Sequence, residues 1–424
     1  MLTLNEMASG SYDPNTLQEI PKEVPVYRAY YFEPERKAIE LLKRIFGIKG
    51  VEKKFSVGDV NSQRKESKIE KDGIKALLNH VKVSFDKFTY RNILIPDDLL
   101  LWILPAALLG RRICQKHQVN LILTTAPPFS DLLVGRLLKT MTSLPWVADY
   151  RDLWSGDVLR DWVPGWRRKI EVSLERWALA RADGVTAVSE PKVSFLKKRL
   201  SGLPIKNIFC VTNGYDPDEY EGIEKLEPNN GRVRFVYTGR LFKNRRGYEI
   251  VEAAGLLFRQ KPHLRNRFLL EYYGGVTDEI KTKMEQLINE YQLNEEIRFL
   301  RDVPYTESKE IQVSADVLLL IVDTGETTSG VIPGKLFEYI AARRPILCIA
   351  VPGATSEIIE KGRLGWVIPP GDVNALKKTL EKILSEAPLT FFKPDINYLA
   401  QFERKRLVGE LAQIFDRISI SRCK

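Results

Sequence analysis

"NLILTTAPPFSDLLVGRLLKTMTSLPWVADYRD", residues 120–152, decides the fold. It opens as a β-branched run closed by Ala-Pro-Pro, repeats apolar residues at helical spacing through its middle, and returns to a short strand pattern at Pro145-Trp146-Val147. Strand, helix and strand at this rhythm make parallel neighbours in one sheet, joined by a right-handed crossover. The pattern continues outward: "GVTAVSE" (184–190) and "IFCVTNG" (208–214) are further strands, with the helical "WRRKIEVSLERWALARA" before them. Each strand's carboxyl end opens onto a polar or Pro/Gly-containing loop, where ligands sit in such sheets.

A second rhythm follows. "YDPDEYEGIEKLEPNNGRV" (215–233) is acidic, rich in turn residues and without periodicity, which marks a linker. Beyond it "VRFVYTGR" (233–240), "RFLLEYYGG" (267–275), "EEIRFL" (295–300), "ADVLLLIVD" (315–323), "RPILCIAVPG" (344–353) and "GWVIPPGD" (365–372) alternate with helical pattern. The fold class is α/β, with two sheet domains whose facing strand ends leave a cleft suited to a nucleotide-containing ligand and a second substrate. The expected division is residues 1–214, a linker at 215–232, a second domain at 233–395, and a C-terminal helix at 396–424.

A chain of 424 residues exceeds the size at which one core keeps growing, which agrees with two domains. The net charge of +10 is concentrated: residues 1–200 hold 33 lysines and arginines against 24 acids, and the remainder is nearly balanced. A basic half-molecule suits nucleic acid or an anionic membrane surface. No aromatic-basic motif supports nucleic acid, so the expected partner is the membrane. The four cysteines and three histidines are scattered, so no metal site and no disulfide framework is expected. "LLLWILPAALLG" (99–110) is too short to span a bilayer and fits either a buried helix or an interfacial one, with Arg111 and Arg112 placed to meet lipid phosphates. The N-terminus does not read as a charged-then-apolar export signal.

Two stretches concentrate candidate chemistry. In "VYTGRLFKNRRG" (236–247) a strand ends at Thr238-Gly239 and a loop delivers Arg240, Lys243, Arg245 and Arg246 before a helix; this is either an anion site or a solvated basic loop. In "TGETTSGVIPGKLFEY" (324–339) a loop of small residues precedes a helix beginning near Gly334. Backbone N–H groups of Gly330, Val331 and Ile332 would suit a diphosphate. Lys335 and Glu338 share one face of that helix, either as a surface ion pair or as phosphate and ribose ligands.

These motifs, with "TTAPPFSDLLVG", "PWVADYRDLW", "ADGVTAVSE" and "VTNGYDP", resemble in order and spacing the family 4 (group 1) glycosyltransferases of bacterial surface-polysaccharide type, from about residue 11 to the C-terminus. The resemblance implies a GT-B fold: two Rossmann-like domains facing a cleft, with a C-terminal helix crossing back to the first. It implies retaining transfer from a nucleoside-diphosphate sugar to a glycan acceptor, lipid-linked on a polyprenyl diphosphate, by a cytoplasmic protein on the inner membrane face. No cofactor is implied beyond the nucleotide-sugar substrate. Gly239, Arg240 and Arg246 match the donor-diphosphate loop, with arginine at the second cation where the family usually has lysine. Glu338 matches the second glutamate of the family's paired-glutamate motif, and the first falls at Gly330. Contacts to the sugar must then come from backbone or from Thr327, Thr328 or Ser329. In the first domain Arg151 falls where many relatives place histidine, beside Asp152; the pair serves either the loop or the substrates.

Asp216-Pro217-Asp218 imitates a metal-binding DxD but follows a hinge, which favours a structural turn. Relatives also begin with a strand, a glycine-rich loop, a helix and a second strand, at whose end "MLTLNEMASG" starts, so either the true start lies upstream of Met1 or the first domain is a truncated form that lacks its strand-loop-helix. The rival readings are a non-catalytic or truncated donor-binding subunit of a polysaccharide assembly and a GT-B nucleotide-sugar epimerase.

Overall fold

The computed structural model describes residues 1–4, 20–31, 91–157, 160–205, 207–224, 231–325, 327–386, 388–390 and 392–420. The N-terminal part of the resemblance, residues 11–34, lies outside the described residues at 11–19 and 32–34.

In the first domain β1 (Leu2–Leu4) and β2 (Tyr27–Ala29) form a parallel pair of their own. After α1 (Ile103–Lys116) come β3 (Ile122–Ala126), α2 (Ser130–Thr142), β4 (Trp146–Tyr150), α3 (Gly165–Leu179), β5 (Gly184–Ala187), α4 (Glu190–Arg199) and β6 (Ile208–Cys210). The strands make a parallel sheet in the order β3-β4-β5-β6, with Thr124 opposite Ala148, Ala148 opposite Val185 and Val185 opposite Ile208. Every crossover steps the same way, so right-handed connections lay α2, α3 and α4 on one face of the sheet. The apolar stretch 99–110 becomes half of α1: Ile103, Ala106, Ala107 and Gly110 are buried, while Leu104 and Leu108 face outward.

The second domain contains β7 (Val233–Thr238), α5 (Tyr248–Gln260), β8 (Phe268–Tyr273), α6 (Asp278–Glu290), β9 (Ile297–Leu300), α7 (Tyr305–Val313), β10 (Val317–Ile321), α8 (Gly334–Ala342), β11 (Ile346–Ile349), α9 (Ala354–Lys361), β12 (Gly365–Ile368) and α10 (Val373–Ser385). Its six parallel strands run β12-β11-β10-β7-β8-β9. Helices on both faces explain why β10 is apolar and buried at all five positions instead of alternating. The order reverses between β7 and β10, the place where open α/β sheets open a ligand crevice.

The C-terminal segment differs from the single helix read from the sequence. It is a short α11 (Ile396–Leu399), a tight turn at Ala400–Phe402, and α12 (Arg404–Ile420). The break has a backbone cause: the Tyr215 N–H donates to the Phe402 carbonyl at 3.0 Å, and the Arg404 N–H donates to the Tyr215 carbonyl at 2.8 Å. Groups spent on the linker cannot continue a helical ladder. Beyond the break α12 returns to the first domain, where Ile414 and Ile418 are buried with Val147 and Val211.

The sharpest packing constraint in the first sheet lies between α2 and β4. The Gly135 backbone lies against the fully buried Trp146 indole, so that any Cβ there would collide with the ring. The indole N–H donates to Thr124 Oγ1 at 2.9 Å, which locks the ring in place. Replacing Gly135 with valine is expected to destabilise the protein by about 1–3 kcal/mol through overpacking, seen as a lower urea midpoint.

Candidate functional site

The reversal in strand order sets the loop after β7 beside the loop after β10. Gly239 has a φ of 130°, and a Cβ there would strike Lys335 Nζ, so only glycine fits. Lys335, at the start of α8, folds back over this turn. Its ammonium nitrogen donates to the Thr238 carbonyl at 2.6 Å and stands 4.2 Å from the Tyr237 ring centroid. Burial foremost, then the nearby Arg245 charge, pulls its pKa down to about 7 against the partial relief given by Glu338 and Asp323.

The cationic loop is sorted by the fold. Arg245 turns inward and pairs with Asp323 at 2.7 Å, the two side chains 15% and 4% exposed. Arg245 Nε and Asp323 Oδ1 remain buried without a hydrogen-bond partner. Arg240 and Arg246 stay exposed, the latter over the Tyr248 ring. Asp323 had a signal in the sequence, as the acidic end of an apolar strand.

A cavity of about 380 Å3 lies between the domains, lined among others by Arg151, Tyr220, Tyr305, Glu338 and Arg404. Glu338 Oε2 accepts from Gln312 Nε2 at 2.9 Å. Gln312 is fully buried, and the same amide reaches Thr238 Oγ1 at 3.2 Å while its carbonyl accepts from the Tyr220 hydroxyl at 2.9 Å. Glu219 gathers the opposite wall: Tyr305 donates to it at 2.7 Å and Arg404 pairs with it. The carboxylates nearby and burial raise the pKa of both Tyr220 and Tyr305, burial being the larger cause. Sequence reasoning missed Gln312, Tyr220, Tyr305 and Arg404, all of which fall in helix or linker without any local motif. The acidic turn before them is structural, since Asp216 accepts from the Asp218 N–H at 3.1 Å and caps the turn Pro217–Tyr220.

The loop before α8 corrects an expectation. The N–H groups of Gly330 and Val331 are not free donors: they bond to the carbonyls of Thr327 at 3.2 Å and Thr328 at 2.9 Å in a tight turn. Ile332 is buried in the core beside Leu336 and Phe337. Thr327 donates to the Gly156 carbonyl at 2.8 Å and Thr328 to the Gly325 carbonyl at 2.9 Å, which engages two of the hydroxyls expected to meet a sugar. The Gly330 carbonyl accepts from Ser189 of the first domain at 2.7 Å, and a Cβ at 330 would meet Pro191 and Lys192 side-chain carbons at 3.3 Å. This contact between domains accounts for glycine where the paired-glutamate motif has its first acid.

Arg151 and Asp152 do not pair with each other. Arg151 Nε donates to Asp149 at 2.7 Å and its Nη1 to Asn213 at 2.9 Å, which fixes the guanidinium on the wall of the cavity that Glu338 also lines. Asp149 is buried and also accepts from Thr125 and Thr186, so strands β3, β4 and β5 fix the arginine through it. Asp152, more than half exposed, pairs instead with Lys192 at 3.1 Å. The structure thus brings Arg151 and Glu338 to one cavity; Arg240, Arg246 and Lys335 belong to the neighbouring strand-reversal loops.

Comparison with known proteins finds similarity to one family over part of the chain. Residues 218–391 match the sequence model of glycosyl transferases group 1. The chain is 24% identical over 223 residues to a 2-deoxystreptamine glucosyltransferase of Streptomyces kanamyceticus, covering 50% of this chain and 54% of that protein. It is 26% identical over 231 residues to WcaL of Salmonella typhimurium, a glycosyltransferase named for colanic acid biosynthesis, covering 54% and 52%. The chain thus spans about half the length of these curated relatives. Among solved structures, sucrose-phosphate synthase of Thermosynechococcus elongatus superposes with a TM-score of 0.57 at 20% identity, over 76% of this chain and 79% of that one. HepE of Anabaena, solved with UDP-glucose, superposes at 0.55 and 15% identity, over 74% and 82%. Residues 218–391 are thus similar to the group 1 glycosyltransferases, and the chain has the GT-B fold.

Lys335 gives a pH test of this site. Unfolded, it holds its proton up to about 10.5; folded, only up to about 7. Between these values the unfolded chain binds more protons, so stability rises with pH through the window and is least at and below about 7. Lys335→Met is expected to flatten this rise and to be more stable than the parent at pH 7, read from urea midpoints between pH 7 and 10.

Proposed function

We propose that this chain transfers a sugar, with retention of configuration, from a nucleoside-diphosphate sugar to a polyprenyl-diphosphate-linked glycan, in polysaccharide synthesis at an anionic membrane surface. The observation that carries the reading is Glu338, a carboxylate fixed by a buried amide on the wall of the cavity between the domains. A carboxylate so held can accept from both hydroxyls of a ribose, and Tyr220 and Tyr305 offer aromatic faces to a base. The exposed Arg240 and Arg246 stand on the loop that the strand reversal directs to the donor diphosphate. A diphosphate near Lys335 favours its charged form, so binding there takes up a proton and adds a cation.

In the transfer, the bond from the anomeric carbon to the diphosphate oxygen breaks as the acceptor hydroxyl bonds to that carbon. The departing phosphate oxygen takes the hydroxyl proton. The chain's part is to hold the donor and to stabilise the charge that develops on the diphosphate. Support comes from the similarity of residues 218–391 to the group 1 glycosyltransferases, from the names of the relatives and from a nucleotide-sugar complex on the same fold.

One observation favours a second reading, a donor-binding subunit without turnover: the place of the family's first glutamate is Gly330, packed on Ser189, Pro191 and Lys192. Release of free nucleoside diphosphate from UDP-sugars in the presence of a lipid-linked acceptor separates the two, because tight binding without release belongs to the subunit. Glu338→Ala is expected to weaken UDP binding by roughly 10- to 100-fold in calorimetry, the loss of one to two charged hydrogen bonds. Its urea midpoint should stay near that of the parent, and unchanged affinity would return Glu338 to a purely structural part.

A further inference from the structure

Helix α3 is built inside out. Its two acids face the interior: Glu171 accepts from Arg160 and from the fully buried Arg167, each at 2.7 Å, and Glu175 accepts from Tyr150 at 3.1 Å and from Ser155. Three of its large apolar residues face water instead, with Trp166, Ile170 and Trp177 exposed by 47%, 47% and 49%, while Leu179 is buried. Spacings of four and seven put these three on one stripe. The exposed Lys169 and Arg181 that flank them are cations, and Arg136 of α2 stacks on Trp177 at 4.5 Å.

The neighbouring helix repeats the theme. α1 packs on α2, and α2 on α3, in one layer over the sheet. From that layer Leu101, Leu104 and Leu108 are exposed, followed by exposed Arg111 and Arg112. The acids of α1, α2 and α3 are Asp131, Glu171 and Glu175, and none of them is exposed. Among the described residues no helix is long and apolar enough to cross a membrane. Tryptophans at the surface, an apolar stripe and a rim of one charge sign match the headgroup boundary of an anionic bilayer.

We propose that the outer face of α1–α3 lies on an anionic lipid bilayer, with Trp166, Ile170 and Trp177 in the headgroup boundary and Lys169, Arg111 and Arg112 on lipid phosphates. The inference deepens the membrane-bound acceptor proposed above and rests on that reading only for its purpose, since the surface is argued from its own residues. Half of this face, the α1 stretch, was open in the sequence between a buried and an interfacial helix; in the structure it is buried on one side and exposed on the other.

Co-sedimentation of the full chain with phosphatidylglycerol-containing vesicles, against phosphatidylcholine vesicles alone, tests it. The parent is expected to bind the anionic vesicles with a blue shift of tryptophan emission, and to bind less as salt rises. Arg112→Glu with Lys169→Glu should lower partitioning by on the order of tenfold or more, and Trp166→Ser with Trp177→Ser should remove the blue shift. Both variants should keep the parent's UDP affinity. The proposal is overturned if the charge variant sediments like the parent, or if light scattering shows a parent dimer that the tryptophan variant splits, because the face would then cover a second copy. Vesicle binding that persists while UDP binding is absent would instead sink the donor reading and leave the surface standing.

Discussion

A single buried amide ties the site together. Gln312 has no exposure to water, yet it joins the end of β7 through Thr238, the cavity-wall carboxylate through Glu338, and the interdomain linker through Tyr220. A buried polar group without partners is costly, and Gln312 meets that need several times over, its amide donating to Thr238 and Ser308 as well as to Glu338. The carboxylate's orientation, the linker's path and the strand end are therefore set as one unit. Tyr339 continues the network beneath, reaching the Thr238 N–H and the Leu319 carbonyl, so that the inner face of α8 is held by the same strand ends that open the crevice.

The contact between the domains has a matching logic. The linker and the C-terminal segment exchange backbone hydrogen bonds at Tyr215, Phe402 and Arg404, and α12 then inserts Ile414 and Ile418 beneath the first sheet. On the opposite side of the cleft, Ser189 and Gly156 hold the loop that carries Gly330 and Thr327. The cavity is bounded by pieces of both domains, of the linker and of the C-terminal helix. Its two facing charges, Arg151 and Glu338, are each oriented by buried partners rather than by one another.

Much of the architecture was legible because its signals are local. Alternating strand and helix periods, turn residues at strand ends and an acidic, aperiodic linker marked both sheets, and the motif order carried the resemblance to the group 1 glycosyltransferases. The candidate site was legible only at its local motifs: Gly239 and the basic loop, Lys335 and Glu338. Gln312 gave no sign, because a glutamine in a helix is ordinarily a solvated residue. Arg245 and Arg246 are adjacent and chemically alike, and nothing in their spacing says that one pairs inward with Asp323 while the other faces water.

The sequence by itself determined the parallel α/β class, the two-domain division of its pattern and the charge bias of the first half, since periodicity and composition are properties of short segments. Tertiary structure alone decided how those segments were used. It consumed the Gly330 and Val331 N–H groups in a turn, broke the last helix at Phe402 to feed the linker, and turned the acids of α3 inward so that its tryptophans face out. Each of these depends on a partner distant in the chain, and hydrogen-bond and burial requirements of that kind are met only when the chain is folded.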